Sequence, residues 1–440
     1  EGTIHNFNIS VGMDSNFMEA VENDKYILLS WPMDKNIYNF EEKIRGGNFF
    51  SAKTLFDKIV HNAWLNGEPG LIWLDKINKN NATPEFGEIQ ATNPCGEQPL
   101  LGNESCNLGS INLSHCITLD GLFDKKYFHD LIVNAVHFLD NVVDLNSHPT
   151  EDTSNMNKMT RKIGLGVMGF ADLLIKLNIP YNSDAAYYEA NIIAEMLQDV
   201  SDDESSCLGR IRGNYPAFKS SPDNVINGGR EDNMRNAWRT SIAPTGTISM
   251  IAECSGGIEP LFALMYKKHN MSAALEGVEL TYINQDLVGR LVKDDRMCPF
   301  KCDHLMHNPK SENELYSLMT EEEKRIFVTS HQIDSEWHVK VQATFQKYID
   351  SGVSKTINMS YDSTEGDVYD MYMSAWRQGC KGITMYREGS REKEVLVPLN
   401  EVLQIETHID GGINRPETMI GVTKRIRTGH GNLYVTTNFD

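Results

Sequence analysis

Short apolar runs of strand character alternate along this chain with long stretches of helical periodicity. That alternation restricts it to a layered α/β fold with mainly parallel strands. Residues 241–243, 355–359 and 382–386 read as short strands, the last two separated by a helix over 364–377. Leu55, Ile59, Val60, Ala63 and Trp64 recur at helical spacing ahead of a stop at Gly67. Phe128, Leu131, Ile132, Ala135, Leu139 and Val142 mark a long amphipathic helix, and residues 185–200 mark another. A further helix is expected to begin near Ile163, and two more cover 321–327 and 335–349. Residues 75–88 read as loop, and Gly213-Asn-Tyr-Pro216 breaks regular structure. There is no internal repeat and no low-complexity tract.

With 440 residues, 40% of them hydrophobic, the chain reads as soluble and globular, long enough for one large domain or two ordinary ones. No apolar run has the length of a membrane span. The net charge of −20 argues against a nucleic-acid-coating surface, though not against a phosphorylated small molecule. Eight cysteines are scattered singly, which points to a reducing, cytoplasmic setting and not to a disulfide scaffold. The chain opens at Glu1 on a strand-like segment, so a piece of a longer or split protein is expected.

The segment 91–113 concentrates the chemistry. Cys95 stands two residues from the Asn93 amide and two from the Glu97 carboxylate, and Cys106 follows eleven residues later. Pro94 and Gly96 oppose regular helix and a mid-strand position, so Cys95 is expected at a loop tip. In extended backbone, Asn93, Cys95 and Glu97 would share one side. The local sequence fits either a reaction centre or a buried structural cysteine beside a surface carboxylate.

Asn93-Pro-Cys-Gly-Glu97 and Glu104-Ser-Cys-Asn-Leu-Gly-Ser-Ile-Asn-Leu113 resemble the active-site finger loop of ribonucleotide reductase large subunits, in particular the adenosylcobalamin-dependent class II enzymes. Further blocks fit that family in order: Ala243-Pro-Thr-Gly-Thr-Ile-Ser249, Ser255-Gly-Gly-Ile-Glu-Pro260, Ser354-Lys-Thr-Ile-Asn358, Gly379-Cys-Lys-Gly-Ile-Thr-Met-Tyr-Arg387, Gly421-Val-Thr-Lys424 and Thr428-Gly-His-Gly-Asn-Leu-Tyr-Val435. The resemblance implies a ten-stranded α/β barrel of two five-stranded parallel halves with the finger loop at its centre. This chain would supply the later part over 1–390, open on one side, followed by a C-terminal extension over 391–440.

The resemblance also implies roles. Cys95 would carry a thiyl radical shielded at a deeply buried tip, Glu97 would be general base on the 3′-hydroxyl, and Asn93 would orient the hydroxyls. Cys106 would be half of the reducing dithiol, its partner lying upstream of residue 1. Pro244, Thr245, Gly246, Thr247, Ile248 and Ser249 would cradle the substrate diphosphate, where the residues alone fit a helix cap equally. Adenosylcobalamin would be the cofactor, with an external thioredoxin-like dithiol, the N-terminal half of the enzyme and a possible second copy as partners. Class I chains carry two adjacent tyrosines where this one reads Thr384-Met-Tyr-Arg387, which favours the cobalamin route over a radical-supplying partner subunit.

Competing readings are a Cys-His hydrolase using Cys95 with His331 or His338, and a non-catalytic nucleotide-binding fragment. Cys298, Cys302, His304 and His307 form a metal-like cluster whose spacing matches no common zinc module, so a solvent-facing loop is expected there. Gly164-Leu-Gly-Val-Met-Gly169 matches a dinucleotide fingerprint but follows no evident strand, and close helix packing is expected of its glycines.

Overall fold

The computed structural model describes residues 8–28, 49–220, 233–269, 279–298, 305, 312–390, 396–398, 420–428 and 431–439. One parallel path organises them. The strand Asn107–Asn112 pairs with Ile163–Met168 along its whole length. Leu165 bridges Thr240, and Ile242 bridges Val353, both in parallel. Three residues on, Thr356–Met359 pairs in parallel with Gly382–Arg387. Five successive positions therefore run in one direction. The direction then reverses: Gly382 and Ile383 pair antiparallel with Ile72 and Leu71 of Gly70–Trp73, which pairs in parallel with Ser10–Met13. This is one five-stranded parallel half joined to two strands of opposite direction, as the barrel resemblance implies.

The helix expected near Ile163 is a strand. All six residues of Ile163–Met168 are buried, so their side chains show no alternation, and a short apolar run of this kind fits buried helix and buried strand alike. Its glycines do serve close packing, but within the sheet. A Cβ at Gly166 would lie 2.2 Å from the Ser241 carbonyl oxygen. Helix starts only at Phe170, after Gly169 at φ +73°. Residues 75–88 also hold more structure than expected, with a helix over Leu74–Lys79 and a 3₁₀ turn over Pro84–Phe86.

The long helices fall where periodicity puts them. Lys125–Leu145 is capped by Asp124, whose carboxylate accepts from the Tyr127 N–H at 2.9 Å, and buries Phe128, Ile132, Val136, Leu139 and Val143. Asp184–Arg212 runs past its expected end, because Leu208 and Gly209 stay buried. Both helices join the apolar cluster behind the parallel strands, where each fully buried Leu, Ile or Phe contributes about 1.5–3 kcal/mol. A second cluster packs the helices Ser15–Glu22, Ala52–Asn66 and Glu365–Arg377 around the reversal.

Contacts divide the chain at residues 399 and 400, beyond the expected boundary at 390. Leu396–Pro398 pairs with Met265–His269 and belongs to the first unit. In the second, Ile420–Thr428 and Gly431–Phe439 form an antiparallel hairpin. Among the described residues no helix is long and apolar enough to cross a membrane.

Candidate active site

Cys95 occupies the tip of a tight loop. Ala91–Thr92 pairs antiparallel with Pro99–Leu100, and between them the Gly96 N–H donates to the Asn93 carbonyl at 3.1 Å. Gly96 at φ +80° permits that turn. The backbone is thus turned, not extended, and the period-two argument that aligned Asn93, Cys95 and Glu97 does not apply. Burial differs from expectation too. In this chain Cys95 is exposed, whereas Glu97 is only 3% exposed.

The loop is fastened at Glu97. Its backbone carbonyl accepts from Ser241 Oγ at 3.0 Å, Ser351 Oγ at 2.8 Å and the Gly352 N–H at 3.0 Å. These donors stand beside two neighbouring positions of the parallel path, so the sheet holds the loop. A side chain at Gly352 would not fit, since its Cβ would lie 2.3 Å from the Gly96 oxygen. Asn93 Oδ1 accepts from the Gln98 N–H at 2.9 Å, leaving its Nδ2 group as the part that can meet a ligand. Buried and without a hydrogen-bond partner is Glu97 Oε2, and beside it the amide of buried Gln98, a residue absent from the sequence reading, reaches the Cys106 thiol. Orphaned polar atoms of this kind mark a site built for something else to bind.

Electrostatics bring the second cysteine into the same place. The Glu97 carboxylate acts on both Cys95 and Cys106. Partial desolvation by the loop around it, then Glu97, holds the Cys95 thiol above its ordinary range although its surface is exposed. Burial pushes Cys106 up to about 12, with Lys162 pulling down and Glu104 and Glu97 pushing up. Both are therefore protonated thiols at neutral pH. A thiol-hydrolase nucleophile needs the opposite shift. His338 is taken up by the Ser330 carbonyl at 3.3 Å and by Lys355 Nζ at 2.9 Å, and His331 packs edge-on against Phe262.

The turn at 244–249 lies between the Ile242 bridge and a single helical turn, Ile248–Ile251. Thr245 is buried at φ +52°, an unusual conformation for a β-branched residue, and its Oγ1 accepts from the Gly257 N–H at 2.8 Å. Gly246 and Thr247 form an exposed crest, and nothing lies within 4 Å of where a Gly246 Cβ would be. Ser249 is buried. Glu259 accepts from the Thr356 N–H at 2.6 Å and from Lys355 at 2.5 Å.

Tyr386 is half-buried in Gly382–Arg387, next to Met385. Cys298 is exposed, and the rest of the metal-like cluster, Cys302, His304 and His307, lies outside the described residues. The described cysteines are free.

The sequence profile described as "Ribonucleotide reductase, barrel domain" matches residues 1–386. A vitamin B12-dependent ribonucleoside-diphosphate reductase of Thermoplasma acidophilum is 44% identical over 89% of this chain and 49% of its own length. One of the same name from Mycobacterium tuberculosis is 39% identical over 92% of the chain and 56% of its own length. The chain thus spans about half the length of the curated relatives it matches. Among solved structures, the Actinobacillus ureae class Id ribonucleotide reductase alpha subunit superimposes with a TM-score of 0.65 at 23% identity, covering 87% of this chain and 65% of that one.

Proposed function

Because the chain belongs to the ribonucleotide reductase barrel-domain family, we propose that it carries the reacting groups of a ribonucleoside-diphosphate reductase, which replaces a ribose 2′-hydroxyl by hydrogen. One observation carries the reading: a clamped loop presents Cys95 while the buried, unpartnered carboxylate oxygen of Glu97 acts on both Cys95 and Cys106.

In this mechanism Cys95 takes the 3′ hydrogen as a sulfur-centred radical, a task suited to a protonated thiol. Glu97 accepts the 3′-hydroxyl proton through Oε2, and Asn93 Nδ2 orients the hydroxyls. Cys106 belongs to the dithiol that supplies two electrons and two protons, ending as a disulfide that an external thioredoxin-like dithiol reopens. The segment Pro244, Thr245, Gly246, Thr247, Ile248 and Ser249 receives the diphosphate at its exposed Gly246–Thr247 crest, through backbone N–H groups and the Thr247 hydroxyl. Adenosylcobalamin, which the relatives' names imply for them, would supply the initiating radical. The exposed, protonated Cys95 thiol fits a group that takes a hydrogen atom from sulfur, and a single Tyr386 supports that source over a tyrosine relay. The remainder of a longer enzyme completes the assembly.

The test is Cys95→Ser in an enzyme completed to the length of its relatives. Deoxynucleotide formation is lost with the fold intact, because a hydroxyl O–H bond is too strong for the relay. Substantial residual turnover would remove the radical assignment.

A further inference from the structure

The stretch around Cys106 is fastened residue by residue. Glu104 Oε2 accepts from the Leu101 N–H and from Lys162 Nζ, each at 2.8 Å, and both side chains of that ion pair are fully buried. Asn157 Nδ2 donates to the Ser105 carbonyl at 2.9 Å and to Ser105 Oγ at 2.8 Å. Asn107 Nδ2 donates to the Leu139 carbonyl at 3.0 Å. Lys162 Nζ lies 4.1 Å from the centre of a Trp238 ring. Beside the pair, Glu104 Oε1 is buried with no hydrogen-bond partner, as is Glu97 Oε2.

A buried ion pair contributes little net stability, because desolvation offsets most of the Coulomb gain. Its position next to a redox thiol therefore calls for a reason other than folding.

We propose that Lys162 is a positioning residue for the reductive half of the reaction: through Glu104 it holds the stretch that presents Cys106, and it faces that sulfur with a positive charge. The inference rests on the reductase reading. In the overall step two S–H bonds break and one S–S bond forms. Two electrons and two protons pass to the substrate, its C2′–O bond breaks, a C2′–H bond forms and water leaves. Lys162 is not consumed. Its ammonium stabilises the negative charge that the Cys106 sulfur carries once its proton has gone. The groups that act on the sulfur are Lys162 from the Ile163–Met168 side, Glu104 from its own stretch, and Glu97 with Gln98 from the opposite limb of the loop, and its S–H donates to the Asn107 carbonyl at 3.5 Å. Of the charges, Lys162 acts most strongly, in the direction opposed to both carboxylates.

Opposite signs make the test specific. In the purified chain, iodoacetamide labelling of Cys106 is followed by peptide mass spectrometry, with Cys95 in the same sample as reference. Burial lowers the Lys162 pKa, so labelling is followed from pH ~7 to ~9. Lys162→Met slows Cys106 labelling by about fivefold or more at the lower end, where the lysine carries more of its charge, and Glu104→Gln speeds it, because the thiolate is the reacting species. A purely mechanical role would loosen the stretch in both variants and speed both, which would overturn the proposal. Equal rates in all forms would overturn it too. If Lys162→Met does not fold, the double variant lacking both buried charges still slows, because the lysine outweighs Glu104. In a completed enzyme, Lys162→Met also raises the ratio of released base to deoxynucleotide. The labelling signs stand apart from turnover, so a failure of the reductase reading, seen as an active Cys95→Ser enzyme, is distinguishable from a failure of this one.

Discussion

Cys95 and Cys106 both carry thiols shifted upward, Cys95 by partial desolvation beside Glu97 and Cys106 by burial, and they differ in surroundings. Cys95 is exposed at a loop tip, and Cys106 sits beside a buried lysine. Their proposed roles separate in the same way, one as hydrogen acceptor and one as electron donor. Cys106→Ser in a completed enzyme is expected to allow the early radical steps and then release free base in place of deoxynucleotide. Normal multiple turnover by that variant would take Cys106 out of the mechanism. Lys381 offers a test of stability. It is buried, its ammonium donates to the Asp350 and Ser351 carbonyls, and burial lowers its pKa to about 8 from 10.5. A folded-state value below the unfolded one means that the unfolded chain binds more protons between those limits. Stability therefore rises as pH climbs from about 8 to about 10.5, by roughly 3 kcal/mol from this one group. Urea unfolding across that window measures it. Lys381→Met is expected to flatten the rise, and an unchanged slope would assign it to other groups.

At the scale of elements, the loop depends on the sheet beneath it. Gly352→Ala places a methyl 2.3 Å from the Gly96 oxygen, against backbone that cannot turn aside. Overpacking of this kind costs about 1–3 kcal/mol. The variant is expected to melt earlier and to label faster at Cys95, and wild-type melting with wild-type labelling would show that the clamp is dispensable. Much of this was legible in the sequence. Pro94 and Gly96 announced the loop tip, the periodicity at 128–142 announced the helix Lys125–Leu145, and the stretch between two strand-like runs at 364–377 holds the expected helix, Glu365–Arg377. Other features were not legible, for physical reasons. Ile163–Met168 is buried on both faces, which erases the alternation that marks a strand. The clamp on the Glu97 carbonyl joins residues 144 to 255 positions apart, two serine hydroxyls and one backbone N–H converging on a backbone oxygen, which no local sequence pattern reports. The Lys162–Glu104 pair spans 58 positions, and neither residue hints at burial by its type.

For the whole molecule, the decisive fact is how the sheet ends. Within the described residues, Ser10–Met13 pairs only with Gly70–Trp73 at one end of the path, and Asn107–Asn112 only with Ile163–Met168 at the other. A closed barrel has no free edges, whereas each unpaired edge here presents a row of backbone donors and acceptors to whatever adds to it. The same openness reaches the chemistry, because Cys95 at the loop tip is exposed. A radical there would meet solvent, and radical chemistry depends on excluding it. The chain on its own is therefore expected to give no steady deoxynucleotide with adenosylcobalamin, a ribonucleoside diphosphate and dithiothreitol. Adding a polypeptide that completes the barrel should protect Cys95 from alkylation and restore turnover together, since both follow from covering one surface. Sustained reduction by the isolated chain would show that an exposed Cys95 suffices. Protection of Cys95 without turnover would separate shielding from catalysis and point to residues the chain does not hold.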